Sequence, residues 1–133
     1  MNKIKYKIVD DAMDGDSIIK SLPFDCSVKS LSEISEKNAS MIINTLDGVK
    51  WFKEDVSGFA FLKYPLGVIV KVEINSVKSS GSLLWILAQV YKDIYSNKEN
   101  IEKYGVYGHE IDDLVFEQIS ICKNKVIIVS VGS

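Results

Sequence analysis

Residues 68–95, VIVKVEINSVKSSGSLLWILAQVYKDIY, decide the fold class because one unbroken stretch changes its hydrophobic period in the middle. From Val68 to Ile74 apolar residues alternate with Lys71 and Glu73, the period of two that buries one face of a β-strand. From Leu83 onward the apolar positions Leu83, Leu84, Leu87, Val90, Tyr91, Ile94 and Tyr95 recur at three- and four-residue spacing, the stripe of a core-facing helix. Between them Ser79-Ser80-Gly81-Ser82 breaks the strand, with Ser82 the expected N-cap.

Working outward, Tyr64-Pro65-Leu66-Gly67 reads as a hairpin turn joining this strand to an earlier one over Ser57 to Tyr64. Val49 to Lys53 reads as a further strand. Toward the N-terminus, Ser30-Leu31-Ser32-Glu33 fits a capping box. It predicts a helix with Leu31, Ile34, Asn38, Met41, Ile42 and Thr45 near one face, ended by Asp47-Gly48. Lys3 to Val9 alternates as a half-buried strand, and Asp14-Gly15-Asp16 is a turn, leading to a short helical turn near Ser17 to Ser21 that Pro23 stops. On the C-terminal side, Asn97 to His109 is expected as a polar loop. Leu114 to Ile121 and Val126 to Val131 form a hairpin around Cys122-Lys123-Asn124-Lys125, with Asn124 taking the positive φ. The order β-α-β-β-β-α-β-β predicts an α+β domain, an antiparallel sheet of five to six strands covered by two main helices on one face.

The chain has 133 residues, and nothing in its course marks a linker or repeat, so residues 1–133 are expected to form a single globular domain. Its apolar fraction of 47% is that of a folded protein, yet the longest apolar run, Leu83 to Ala88, is far below the ~20 residues needed to span a bilayer. The alternating N-terminus lacks the apolar segment of a signal peptide, and a cytoplasmic location is expected. All sixteen basic residues are Lys. The absence of Arg, which suits bidentate phosphate and guanine recognition, together with a net charge of −2, argues against nucleic-acid binding.

Candidate chemistry is sparse. Cys26 and Cys122 lack metal-site or redox spacing and read as buried apolar residues in a reducing compartment. The cluster Asp10-Asp11-Ala12-Met13-Asp14-Gly15-Asp16 fails as a calcium loop, because the third position is Ala12 and the twelfth is Ser21. Gly105 and Gly108 do not build a phosphate loop. His109, with Asp112 or Asp113 beside it, is a conceivable general base in a small enzyme or ligand-binding domain, but no nucleophile motif accompanies it. Neither a cofactor nor a metal is expected.

What the sequence does offer is a surface. Between Glu99 and Glu117, six carboxylates face Lys103 alone, and Tyr104 and Tyr107 alternate with the glycines. Tyrosine contributes large contact area at small entropic cost, and an acidic field attracts basic partners. The expected partner-binding residues are Tyr104, Tyr107, His109, Glu110, Asp112, Asp113 and Glu117.

The stretch LLWILAQVYKDIY, followed by YGVYGHEIDDLVFEQISI and a short strand ending in VGS, resembles small bacterial toxin-immunity proteins of the contact-dependent growth inhibition and polymorphic-toxin type. The resemblance covers Leu83 to Ser133. It implies a non-enzymatic protein that binds a cognate basic toxin domain, of which a nuclease is one kind, and blocks its action. A homodimer formed through an exposed sheet edge at Val126 to Val131 is an alternative assembly.

Overall fold

A computed structural model describes residues 4–23, 30–35, 39 and 51–133. Its strands are β1 (Tyr6–Val9), β2 (Ile18–Pro23), β3 (Trp51–Leu62), β4 (Ile69–Ser79), β5 (Val115–Cys122) and β6 (Val126–Gly132). They form one six-stranded sheet in the order β1-β4-β3-β6-β5-β2. Among the helices that lie wholly within the described residues, α1 spans Ser80–Ile94 and α2 spans Lys98–Lys103, with 3₁₀ turns at Leu31–Glu33 and Ile111–Asp113. The class is α+β.

The sheet is mixed rather than wholly antiparallel. β3 and β6 run parallel from Phe59↔Val126 to Phe61↔Ile128, and every other pair is antiparallel. The cause is topological. The β5–β6 hairpin inserts β6 between β3 and β5, which fixes its direction against β3. β6 is therefore paired on both sides, so the edge expected at Val126 to Val131 does not exist; the sheet's edges are β1 and β2.

One face of the sheet carries the main core. Val70, Val72 and Ile74 of β4, Ala60 and Leu62 of β3, and Ile127 of β6 pack with Leu83, Leu84, Leu87, Val90, Tyr91 and Ile94 of α1. This is the stripe read from the sequence, and each of these residues is buried. The helix starts earlier than expected. Ser79, not Ser82, is the N-cap, and its hydroxyl accepts from Ser82 N at 3.2 Å. β4 thus passes directly into α1, since a cap residue needs only extended backbone and is still able to end a strand.

Three local expectations are corrected. The short helical turn expected near Ser17 to Ser21 falls instead in edge strand β2 (Ile18–Pro23), which runs along β5, and Pro23 at the strand's end is tolerated. The two strands expected at Val49–Lys53 and Ser57–Tyr64 are joined in the 12-residue β3, because register shifts near Val56 absorb the polar Glu54-Asp55 step; Val49 and Lys50 lie outside the described residues. Lys98–Lys103, expected as loop, is α2, capped by Asn97, whose Oδ1 accepts from Asn100 N at 2.8 Å.

The expected capping box at Ser30 is also absent. Ser30 makes no side-chain cap bond; its hydroxyl lies 2.7 Å from that of Ser32, and Leu31–Glu33 is a 3₁₀ turn closed by extended Ile34. Leu31 and Ile34 are nonetheless buried in the main core, with the Lys92 ammonium donating to the Ile34 carbonyl, so this segment lies beside α1. Ala39 is helical and buried, while the expected face positions Asn38, Met41, Ile42 and Thr45 lie outside the described residues, as does Cys26.

The opposite face is covered by the segment between β1 and β2, which crosses from one sheet edge to the other. Ala12 and Val9 pack against Phe61, Cys122 and Val126. The crossing is pinned at Asn124, whose Nδ2 donates to Asp14 O at 3.0 Å and whose backbone N–H donates to Asp16 Oδ1 at 3.0 Å. In the β5–β6 turn the positive φ falls on Lys125 (69°) rather than on Asn124. Asn124 is held instead by these bonds to the acidic turn, and its Oδ1 receives Val126 N at 3.4 Å.

Candidate functional site

The segment 104–113 crosses the end of the sheet at which β3 and β6 finish and β5 begins. It is anchored from both sides. On the sheet side, Gly67 N donates to Tyr104 O at 3.1 Å and Tyr107 N donates to Pro65 O at 3.1 Å, tying the segment to the β3–β4 turn. The approach is close: a Cβ on Gly105 would lie 3.0 Å from Gly67 Cα, and Gly105 has φ +64°. Glycine is needed there on both counts.

On the helix side, two tyrosines of α1's C-terminal turn serve as struts. Tyr91 Oη donates to Tyr64 O at 2.8 Å, and Tyr95 Oη donates to His109 O at 3.0 Å. Burial pushes the Tyr91 hydroxyl's pKa up. That of Tyr95 is pushed up to about 12, first by burial and then by Tyr64 and Asp113. Both struts therefore remain protonated donors throughout the neutral range. The Ile111–Asp113 turn is closed by the Asp113 carboxylate, which accepts from Glu110 N at 3.3 Å.

The frame presents an aromatic and acidic surface. Tyr107 is 56% exposed and stands edge-on to Tyr64, with ring centroids 6.5 Å apart at 87°. Tyr64 in turn covers the His109 ring at 5.6 Å. Glu110, Asp112 and Asp113 are exposed beside them. Glu117 reaches the same end of the sheet: its carboxylate lies against Gly132, 2.7 Å from where a Cβ there would stand. The adjacent Ser133 hydroxyl is 2.9 Å from Tyr64 Oη.

Six of the seven residues expected to bind a partner therefore gather at one end of the sheet. Tyr104 separates from them. Its ring is buried in the main core, 6.4 Å from Tyr6, where it anchors the loop instead of facing solvent. Tyr64 is the member absent from the expected set, because its place in the sequence marks it only as the end of a strand and the start of a turn. The signal available was an aromatic residue next to Pro65, a dipeptide that often stacks in a turn.

The Asp113 carboxylate is engaged by Glu110 N, and the His109 imidazole packs on Tyr64. Among the described residues, no group of three or more His, Cys, Asp or Glu side chains is placed to hold a metal ion. Nor is any described helix long and apolar enough to cross a membrane. A pocket of about 280 Å³ lies elsewhere, between Lys5, Tyr6, Lys7, Phe59, Lys71 and Glu73, away from His109. No protein-family model, curated protein or solved structure matches this chain.

Proposed function

We propose that this protein is a non-enzymatic binding module of the toxin-immunity type, acting in the cytoplasm on a basic toxin domain, for example a nuclease. The observation that carries the reading is the braced acidic surface: exposed Tyr107 and half-buried Tyr64 and His109, ringed by Glu110, Asp112, Asp113 and Glu117. A tyrosine flanked by carboxylates has the make-up of a binding hot spot, with an apolar ring for desolvated contact and a charged rim for steering. The main-chain bonds to Gly67 and Pro65 hold the loop before any partner arrives, so little ordering entropy is lost on binding. The resemblance of residues 83–133 to immunity proteins points the same way.

The test is titration with the toxin encoded by the gene next to its own. Tyr107→Ala should weaken binding roughly 30-fold, the loss of about 2 kcal/mol expected of a central aromatic anchor. Asp112→Lys should mainly slow association, and more so at low salt. Unchanged affinity in both variants would remove this end of the sheet from the interface.

A further inference from the structure

On the sheet face turned away from α1, charge is arranged against the stability of the strands that carry it. Lys7 of β1 stands directly opposite Lys71 of β4 in an antiparallel pair. Like charges so placed repel and weaken the pairing. Lys5 lies one step along on the same face, its carbonyl accepting from Glu73 N at 2.9 Å. Among the described residues the ion pair is Lys78 with Asp55, so none of these three lysines is neutralised at contact distance. The pocket they share with Glu73 and Phe59 has a net charge of +2 in a chain whose net charge is −2.

Lysines on an edge strand have an ordinary use, which is to discourage pairing with other sheets. That covers Lys5 and Lys7 but not Lys71, because β4 is an inner strand paired with β1 and β3. The Lys71 ammonium instead lies 4.1 Å from the centre of the Phe59 ring, over its face. Phe59 of β3 sits across from Glu73 of β4, so two aromatic residues, three lysines and one carboxylate line the pocket.

We infer that this pocket is a binding site for a small phosphate monoester bearing a flat ring, of the mononucleotide class. Three ammonium groups suit a dianionic phosphate as point charges. If Lys71 turns from the ring to the phosphate, it frees the Phe59 face for a base to stack on, a contact that tolerates any base. Glu73 Oε1 accepts from Asn75 Nδ2 at 3.3 Å, which leaves its second carboxylate oxygen to accept from a sugar hydroxyl. A volume of about 280 Å³ is at the lower limit of small-molecule sites, enough for one ring, one sugar and one phosphate and too little for a longer chain.

The experiment is a titration of the full chain followed by amide chemical shifts, with adenosine monophosphate, ribose 5-phosphate, inorganic phosphate, adenosine and a short acidic peptide as separate probes. Saturable shifts at Phe59, Lys71 and Glu73 are expected with adenosine monophosphate, weaker ones with ribose 5-phosphate and inorganic phosphate, and none with adenosine. Lys71→Gln should weaken the nucleotide at least about tenfold, as should Lys7→Gln, each through one lost charge-assisted contact. Lys7→Gln should melt no lower than the parent, since it relieves the Lys7–Lys71 repulsion without touching the Lys71 contact with Phe59. Absence of saturable shifts with every phosphate probe would overturn the site. So would equal affinity in the variants, or a response to the acidic peptide alone.

Discussion

Replacing Gly58 by Ala tests the joint on which the mixed sheet depends. Gly58 precedes Phe59, whose N–H donates to Lys125 O at 3.0 Å where the parallel β3–β6 ladder opens. A Cβ on residue 58 would stand 2.0 Å from Lys125 O and 2.9 Å from Lys125 C. Those are backbone atoms on a turn whose own geometry is fixed by Lys125 at φ 69°, so they are poorly able to yield. Relief requires the β5–β6 turn to move off β3. The expected cost is the upper part of the 1–3 kcal/mol typical of overpacking. Losing the Phe59–Lys125 bond adds about 1 kcal/mol, so the total is about 3–4 kcal/mol. With an unfolding entropy of about 2.1 cal/mol/K per residue, a chain of 133 residues loses 1 kcal/mol for every ~3.6 °C. Calorimetry should therefore place Gly58→Ala roughly 11–14 °C below the parent. Gly108→Ala is the matched control: nothing lies within 4 Å of its would-be Cβ, and only its φ of +73° is unfavourable. That strain costs about 1–2 kcal/mol, partly offset by the stiffer unfolded chain. If Gly58→Ala melts as high as Gly108→Ala, then the β5–β6 turn does not press against β3 at Gly58 and the joint is looser than these contacts require.

Three other outcomes follow from particular contacts. Asn124→Ala removes the side-chain bonds that pin the β1–β2 crossing, a loss of about 1–2 kcal/mol. In a Cys26→Ser background it should speed modification of Cys122, now buried beneath Gly15, by roughly 5- to 30-fold, and an unchanged rate would mean that the crossing is held elsewhere. For alkaline pH, the folded Tyr95 hydroxyl titrates at about 12 against 10.0 in the unfolded chain, so above pH 10 the unfolded state binds fewer protons and stability falls as pH rises toward 12. Urea midpoints taken across that window should decline, and Tyr95→Phe should flatten part of the decline; an identical slope in the variant would disprove the assignment. Finally, Asp112→Lys should leave the melting temperature within ~2 °C of the parent, because Asp112 is exposed and a surface change away from special contacts stays within about 0.5 kcal/mol. A larger drop would show that Asp112 supports the fold as well as facing solvent.

The α1 stripe is legible because a helix displays its buried face at fixed spacing, and burial of Leu83, Leu84 and Leu87 follows from pattern alone. β2 is not legible. Ile18 and Ile19 sit beside an acidic turn and ahead of Pro23, so local signals favour a turn, and only pairing with Ile121 and Ser120 of β5, about a hundred residues away, makes the segment a strand. The turn at 122–125 illustrates the same limit. Asparagine is the usual residue for positive φ, but Asn124 is claimed by Asp14 and Asp16, and the strained position passes to Lys125.

For the candidate surface, the carboxylates Glu110, Asp112 and Asp113 are a matter of local composition, which folding does not alter; the exposure of Tyr107 is decided by the fold. That Tyr64 joins them and Tyr104 leaves them depends on the cross-chain bonds Gly67–Tyr104 and Tyr107–Pro65, and the sequence holds no record of these. The same holds for the cationic pocket. Lys5, Lys7 and Lys71 are unremarkable one at a time, and become a group only when β1 pairs with β4 in this register. The class of the fold, the identity of its main helix and the acidity of the segment from Glu99 to Glu117 are legible along the chain, because hydrophobic period and charge are local properties. Strand order, the parallel joint and both candidate surfaces were decided by tertiary structure, since each depends on which distant backbone supplies the next hydrogen bond.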